Sequence, residues 1–349
     1  MRGVVVLGDR QLAWREFPDP EPGPGEAVVR MRATAVCGSD LHQYHQSIAE
    51  RNILGWNQRV IGHEPCGIVE RVGAGPGPRA GDRVVVYHHM GCGVCTHCLR
   101  GEPMFCARRE FLGRVRHGSN ADLLLVPSRN CLPLPDALSY EEGALLACNV
   151  GTAYAAMKKA AASGRGAVVV VGLGPVGLYC VQVGRAMGAQ VIGVDPIAAR
   201  REMARALGAL TVIDPSQSGA IAEAVTTAGG QGPVAAVDTS GVTAGQQFAL
   251  EAVAVHGRVV FVGVGGPMQL PVYELVIQKE LHLMGSWIFK MPEWQEVLDF
   301  VRQHHLPITA IVTHRLPAVD AEEGFRIAEA AQRGKVVLLW GEDAPPRVE

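Results

Sequence analysis

Four cysteines, Cys92, Cys95, Cys98 and Cys106, stand within the run GCGVCTHCLRGEPMFC of this 349-residue chain. Such spacing lets a short loop fold back so that four thiolates meet one ion tetrahedrally, about 2.3 Å from each sulfur. Gly91, Gly93 and Gly101 permit the tight turns. A tetrathiolate zinc has no open coordination position, so it would staple a loop and do no chemistry itself. Disulfides or free thiols are the competing reading, against which cysteine clusters in a reducing compartment favour metal.

Three further ligand types lie apart from that loop: Cys37 in AVCGSDLH, His63 in IGHEP and Cys148 in LLACNVGTAY. Two thiolates and one imidazole would neutralise Zn2+ and leave a fourth position for water or substrate, the composition of a catalytic site. By residue type alone, Cys37 and Cys148 read equally as packed thiols and His63 as a core or turn histidine. Cys66, Cys131 and Cys180 lack ligand spacing and read as packing residues.

A third constellation is Gly172-Leu173-Gly174-Pro175-Val176-Gly177, entered from the apolar run 168–171 and continued by helical character over 176–187. The first glycine makes the turn, the second admits a pyrophosphate, the third packs helix on strand, and the helix N-terminus supplies N–H donors. Asp195 closes the next apolar run, eighteen residues past Gly177. Its carboxylate can accept hydrogen bonds from an adenosine ribose and would repel a 2′-phosphate, so NAD is preferred over NADP. The rival reading makes Asp195 a helix N-cap, with Pro196 at the first helical position. Arg200 and Arg201 then stack on adenine, lie along the ribose or are solvated.

Positioning these groups takes two kinds of element. The first 150 residues read as short strands, at 27–36, 67–72 and 83–87, bounded by Gly and Pro and carrying long loops. From Thr152 the apolar runs 168–171, 191–194, 234–237 and 259–262 alternate with helical patterns such as 198–207 and 244–253, which means βαβ units and a parallel sheet. Helices at 293–304 and 321–332 and strands at 310–316 and 335–340 follow, and the closing APPRVE is punctuation and frayed tail. Whether this tail belongs to the second domain or returns to the first is open on sequence alone.

Composition narrows the classes. Thirty-two basic residues against 34 acidic ones, without a long run of either sign, favour neither nucleic acid nor an anionic membrane, and weigh against reading the cysteine loop as a nucleic-acid zinc ribbon. Residues 167–184 carry no charge, but their glycines and proline break them into strand, turn and helix rather than a span. Nine cysteines and an N-terminus unlike a signal peptide point to the cytoplasm.

In their order along nearly the whole chain, these motifs resemble the zinc-dependent medium-chain alcohol dehydrogenases, a group that includes sorbitol and threonine dehydrogenases: Cys37-Gly38-Ser39-Asp40 with His42, Gly62-His63-Glu64, the four-cysteine lobe, Cys148 with Thr152, and Gly172–Gly177 with Asp195. The resemblance implies an α/β fold with a GroES-like β-rich catalytic domain, residues 1–149 and 287–349, that takes back the C-terminal segment after a Rossmann domain of residues 150–286. It implies two zincs per chain, one on Cys37, His63 and Cys148 and one on the four-cysteine lobe. It further implies a proton relay from Ser39 through the cofactor ribose to His42, Asp40 orienting His63, Glu64 behind the metal, and Thr152 beside the cofactor. The implied activity is NAD-linked oxidation of an alcohol or reduction of the matching ketone or aldehyde, by a homodimer or homotetramer joined along an edge strand at 281–286. Aromatics mixed with His, Asn and Arg at 44–59, 111–117 and 287–289 suit a polar secondary alcohol or polyol. Threonine or sorbitol-type oxidation, or a dismutation with the cofactor retained, are the alternatives.

Overall fold

Near the C-terminus, the strand Lys335–Leu339 pairs antiparallel with Glu26–Ala35, Val337 facing Ala35, and parallel with Val312–Pro317. In the computed structural model, which describes residues 1–164, 166–330 and 333–346, the end of the chain therefore completes the sheet begun at its start. That sheet runs Val312–Pro317, Lys335–Leu339, Glu26–Ala35, Cys66–Val72, Arg83–Val86 and Cys131–Pro133, with Leu123–Pro127 also on Glu26–Ala35. This is the GroES-like β-rich domain.

The second sheet is six parallel strands in the order Thr211–Ile213, Gln190–Val194, Ala167–Val171, Ala235–Asp238, Arg258–Phe261 and His282–Gly285. Every residue of Ala167–Val171 is buried, as expected of a central strand with helices on both faces. The strand order reverses between Ala167–Val171 and Ala235–Asp238, and a Rossmann-type sheet opens its binding crevice at that point. His282–Gly285 forms one edge.

Two expectations change in detail, and a third holds. The strand expected at 310–316 opens as a 3-10 turn, Ile308–Ile311, because Pro307 and the buried Ile308 and Ile311 tie it inward before pairing starts at Val312. Asp195 is not a helix N-cap: its Oδ1 accepts from the Ile197 N–H at 2.8 Å, and the helix begins two residues past Pro196, at Ala198. Residues 167–184 fold as strand, turn and helix, and no helix among the described residues is long and apolar enough to cross a membrane. The helix expected at 321–332 is observed over Ala321–Ala330; its last two residues, and the last three of the tail, lie outside the described residues.

Candidate metal and cofactor centre

Cys37 sits where the strand Glu26–Ala35 gives way to the helix Gly38–His45, of which it is the N-cap residue. Asp40 turns back over that junction, its Oδ2 accepting from the Cys37 N–H at 3.0 Å. Its other oxygen, Oδ1, accepts from Nδ1 of His63 at 2.9 Å, with both side chains buried. A hydrogen bond at Nδ1 fixes the ring and leaves Nε2 as the atom that can ligate. His63 follows Gly62, whose φ of +99° and close packing on Asn120 leave no room for a Cβ. Cys148 comes from a π-helical turn, Leu146–Val150, set between Tyr140–Leu145 and Gly151–Lys159. Such a turn shifts the side-chain register within a helix and recurs at functional sites.

Together these elements gather one donor atom each from Cys37, His63, Glu64 and Cys148 within 4.8 Å of one another. Cys148 Sγ lies 3.8 Å, and Ser39 Oγ 3.3 Å, from His63 Nε2. The Cys37 thiol is pulled well below its ordinary range, first by the hydrogen bond from Cys148, which is itself pushed up. Burial disfavours charge on His63, but the charges of Asp40 and Cys37 outweigh it and raise its pKa. Thiolate and imidazolium thus balance one another, and a cation bound by Cys37, His63 and Cys148 would take the place of the imidazole proton.

Glu64 closes the back of this cluster. Its Oε1 accepts from Lys335 Nζ and from Asn149 Nδ2, each at 2.8 Å, while the buried Oε2 has no partner. Burial pushes the carboxyl up to about 8 against the pull of Lys335. An orphaned, fully buried carboxylate oxygen beside two thiols and an imidazole is the chemistry of a zinc donor set.

The lobe is built differently. Cys92, Cys95, Cys98 and Cys106 converge within the same 4.8 Å, with Cys95 and Cys98 sulfurs 3.5 Å apart. Backbone N–H groups surround the sulfurs: that of Cys95 donates to Cys92 at 3.4 Å, and those of Cys92 and Arg108 donate to Cys106, also at 3.4 Å. The N–H groups of Val94 and Cys95 draw the Cys92 thiol down to about 5, whereas burial pushes Cys98 up to about 12. Donor type and convergence in both clusters fit zinc.

At the glycine motif, Gly174 is the N-cap of the helix Pro175–Ala186, and a Cβ there would meet nothing within 4 Å. Gly172 has φ +88°, and a Cβ on Gly177 would collide with the Gly172 carbonyl. The middle glycine is free of protein neighbours, so the space it leaves fits a pyrophosphate. Val176 follows in the helix's first turn. Asp195 is buried; its Oδ2 accepts from the Leu173 N–H at 2.8 Å and faces the Arg200 guanidinium at 3.5 Å. Arg201 binds the Asp195 carbonyl and Asp214. Thr152 is buried in the helix Gly151–Lys159.

His42 is exposed, three residues beyond Ser39 in the helix Gly38–His45. In the 44–59 stretch Tyr44 packs on Phe325 and Arg51 is fully buried with donors on the carbonyls of Val6 and Trp56, whereas Asn52 pairs with Asn57 and most of the remaining residues are exposed. Conversely, Lys335, Asn149, His88 and His89 escape a reading by spacing. The only sequence signal for Lys335 is a lysine opening the apolar strand KVVLL.

A family model described as zinc-binding dehydrogenase matches residues 175–303, and the alcohol dehydrogenase GroES-like domain matches 23–136. An uncharacterised zinc-type alcohol dehydrogenase-like protein, YphC of Escherichia coli K12, is 33% identical over 97% of this chain and 98% of its own length. L-Threonine 3-dehydrogenase of Pyrococcus horikoshii is 32% identical over 93% of this chain and 94% of its own. The solved alcohol dehydrogenase TADH from Thermus sp. ATN1 superposes with a TM-score of 0.89 at 30% identity, covering 98% of this chain and all of the other.

Proposed function

Because this chain belongs to the zinc-dependent medium-chain dehydrogenase/reductase family, and is thereby a zinc-binding, NAD(P)-linked oxidoreductase, we propose that it moves a hydride between a polar secondary alcohol or polyol and NAD. The observation that carries this reading is the Cys37, His63, Glu64 and Cys148 cluster, whose imidazole is already oriented by Asp40. Cys37, His63 and Cys148 would hold the catalytic zinc, and the four-cysteine lobe the structural one. Gly172, Gly174, Pro175, Val176, Gly177, Asp195, Arg200 and Thr152 would hold the cofactor. Bound, these groups supply Lewis acidity at the substrate oxygen and an acceptor for hydride.

The chain's own residues do the rest. Ser39, whose hydroxyl reaches the ligating face of His63, orients the substrate oxygen and takes its proton. A serine hydroxyl is too weak a base to hold a second proton, so it gives up its own as it takes the substrate's, and the exposed His42 imidazole hands the proton to solvent. Asp40 holds the imidazole in its ligating tautomer. Glu64, anchored through one oxygen by Lys335 and Asn149, keeps the other aimed at the cluster while ligands exchange. We assign 1–149 with 287–349 to the catalytic unit and 150–286 to the cofactor unit. We place the protein in the cytoplasm, where its nine unpaired cysteines stay reduced, as a dimer or tetramer paired along His282–Gly285.

A threonine-type dehydrogenase is the second reading, favoured by the likeness to the threonine dehydrogenases. The test is NAD+ reduction against simple alcohols, secondary alcohols, polyols and threonine, on protein of counted zinc content. Turnover confined to polar secondary alcohols with two zincs per chain supports the first reading. Selective turnover of threonine supports the second, and no turnover on any of them defeats both.

A further inference from the structure

The arginines of the 109–116 segment divide into two kinds. Arg116 faces carboxylates, those of Glu110 and Glu26. Arg114 and Arg109 have none: among the described residues neither guanidinium makes an ion pair or a hydrogen bond, and the Nε of Arg114 is buried without a partner. Each lies over an aromatic ring instead. Arg114 is 5.3 Å from the Trp56 ring centre and 5.5 Å from that of Phe111, and Arg109 is 5.5 Å from Trp287. Between Phe111 and Trp287 stands His89, 4.8 Å from one ring and 4.9 Å from the other.

His89 is 1% exposed, and neither of its ring nitrogens has a partner. Buried polar atoms are normally satisfied, so an imidazole with both nitrogens free, framed by two unpaired guanidiniums, is a set of groups waiting for something to bind. Its place is beside the metal cluster, because Phe111 also packs on His63 at 5.4 Å between ring centres.

We propose that Arg114, Arg109 and His89 form a subsite for an anionic group, a phosphate or a carboxylate, carried by the alcohol substrate away from its reacting carbon. A neutral hydroxyl satisfies His89 but leaves the half-buried Arg114 guanidinium, whose Nε is cut off from water, without counter-charge, and an ammonium is repelled by Arg114 and the exposed Arg109. A phosphate or carboxylate brings both the counter-charge and the several acceptor oxygens that guanidinium and imidazole N–H donors call for. This deepens, and rests on, the oxidoreductase reading.

The test measures binding by calorimetry to the zinc- and NADH-loaded protein, using three compounds of one carbon skeleton: a hexitol, the same hexitol phosphorylated at its terminal carbon, and the corresponding aldonic acid. The expected result is that at least one anion binds ten-fold or more tighter than the hexitol. Arg114→Gln, which keeps a planar group between the rings, should abolish most of that preference, and Arg114→Lys should restore part of it. Whichever anion is preferred identifies phosphate or carboxylate as the source of the charge. Equal affinity for all three, no measurable binding of either anion, or an Arg114→Gln loss shared equally by all three would overturn the subsite, the last marking a purely structural stack. Anion-selective binding without turnover of any alcohol would instead defeat the oxidoreductase reading and leave the subsite standing.

Discussion

Two clusters of metal donors, each within 4.8 Å, sit in this chain, and nearly everything around them differs. Three of the four lobe cysteines lie in a partly exposed loop from one stretch of sequence, and backbone N–H groups are what stabilise their charge. The other cluster draws its donors from residues as far apart as 37 and 148, and its charges are set by buried side chains: Asp40 on His63, and Lys335 and Asn149 on Glu64. Backbone donors cannot be moved by protonation, so the lobe is suited to constancy. Side-chain acids and bases exchange protons and ligands, which suits a site that turns over.

The sharpest way to break this comparison is to remove one cysteine from each cluster. Cys148→Ala should lower turnover by about 10³-fold or more, since the Lewis acid leaves with it, while the melting temperature moves little. Steady-state rates and a thermal melt on the same preparation decide it. Next in size is Lys335→Met, which strands the Glu64 carboxylate in the interior and should cost about 3–5 kcal/mol in denaturant unfolding. Adding Glu64→Gln should recover most of that loss. Asp40→Asn should weaken zinc retention or turnover by about 10- to 100-fold, and full retention of both would remove its orienting role. Cys95→Ser should give the mirror image of Cys148→Ala, a loss of about 2 kcal/mol of stability and one zinc with the rate per folded molecule preserved at low temperature.

The smallest effect sharpens the contrast through pH. His63 and Cys148 both have raised pKa values, so zinc entering the catalytic cluster must displace both protons, and its affinity rises with pH until those pKa values are passed. In the lobe, Cys92, at about 5, and Cys106 are already drawn toward thiolate, and Cys98, at about 12, is the thiol held protonated. On acidification the catalytic zinc should therefore leave first, as zinc content read against pH with a colorimetric chelator would show.

The lobe was legible because its ligands are neighbours in sequence, and spacing alone encodes a tetrahedral loop. The glycine motif was legible for the same reason, and the apolar runs around it gave the strands Ala167–Val171, Gln190–Val194, Ala235–Asp238 and Arg258–Phe261 to within a residue or so. Cys148 was not distinguishable from a packed thiol by its surroundings, since a π-helical turn leaves no periodic mark in five residues. Lys335 lies 271 residues from Glu64, so nothing local could announce that the strand KVVLL opens on the counter-ion of the site. Arg51 misled in the opposite direction: its polar type suggested a cleft, but main-chain carbonyls, which every residue carries, absorb its donors. The return of Val312–Pro317 and Lys335–Leu339 to the first sheet is likewise a long-range pairing, invisible to windows of a few residues.

The most direct test of the division of labour is a graded chelation of the holoprotein, with zinc per chain, rate of NAD+ reduction and melting temperature followed on each sample. The account predicts two zincs at the start and two separable phases: loss of the first removes activity with the melting temperature nearly constant, and loss of the second lowers the melting temperature. Activity and stability falling together with the same zinc, or activity surviving the removal of the first, would contradict it.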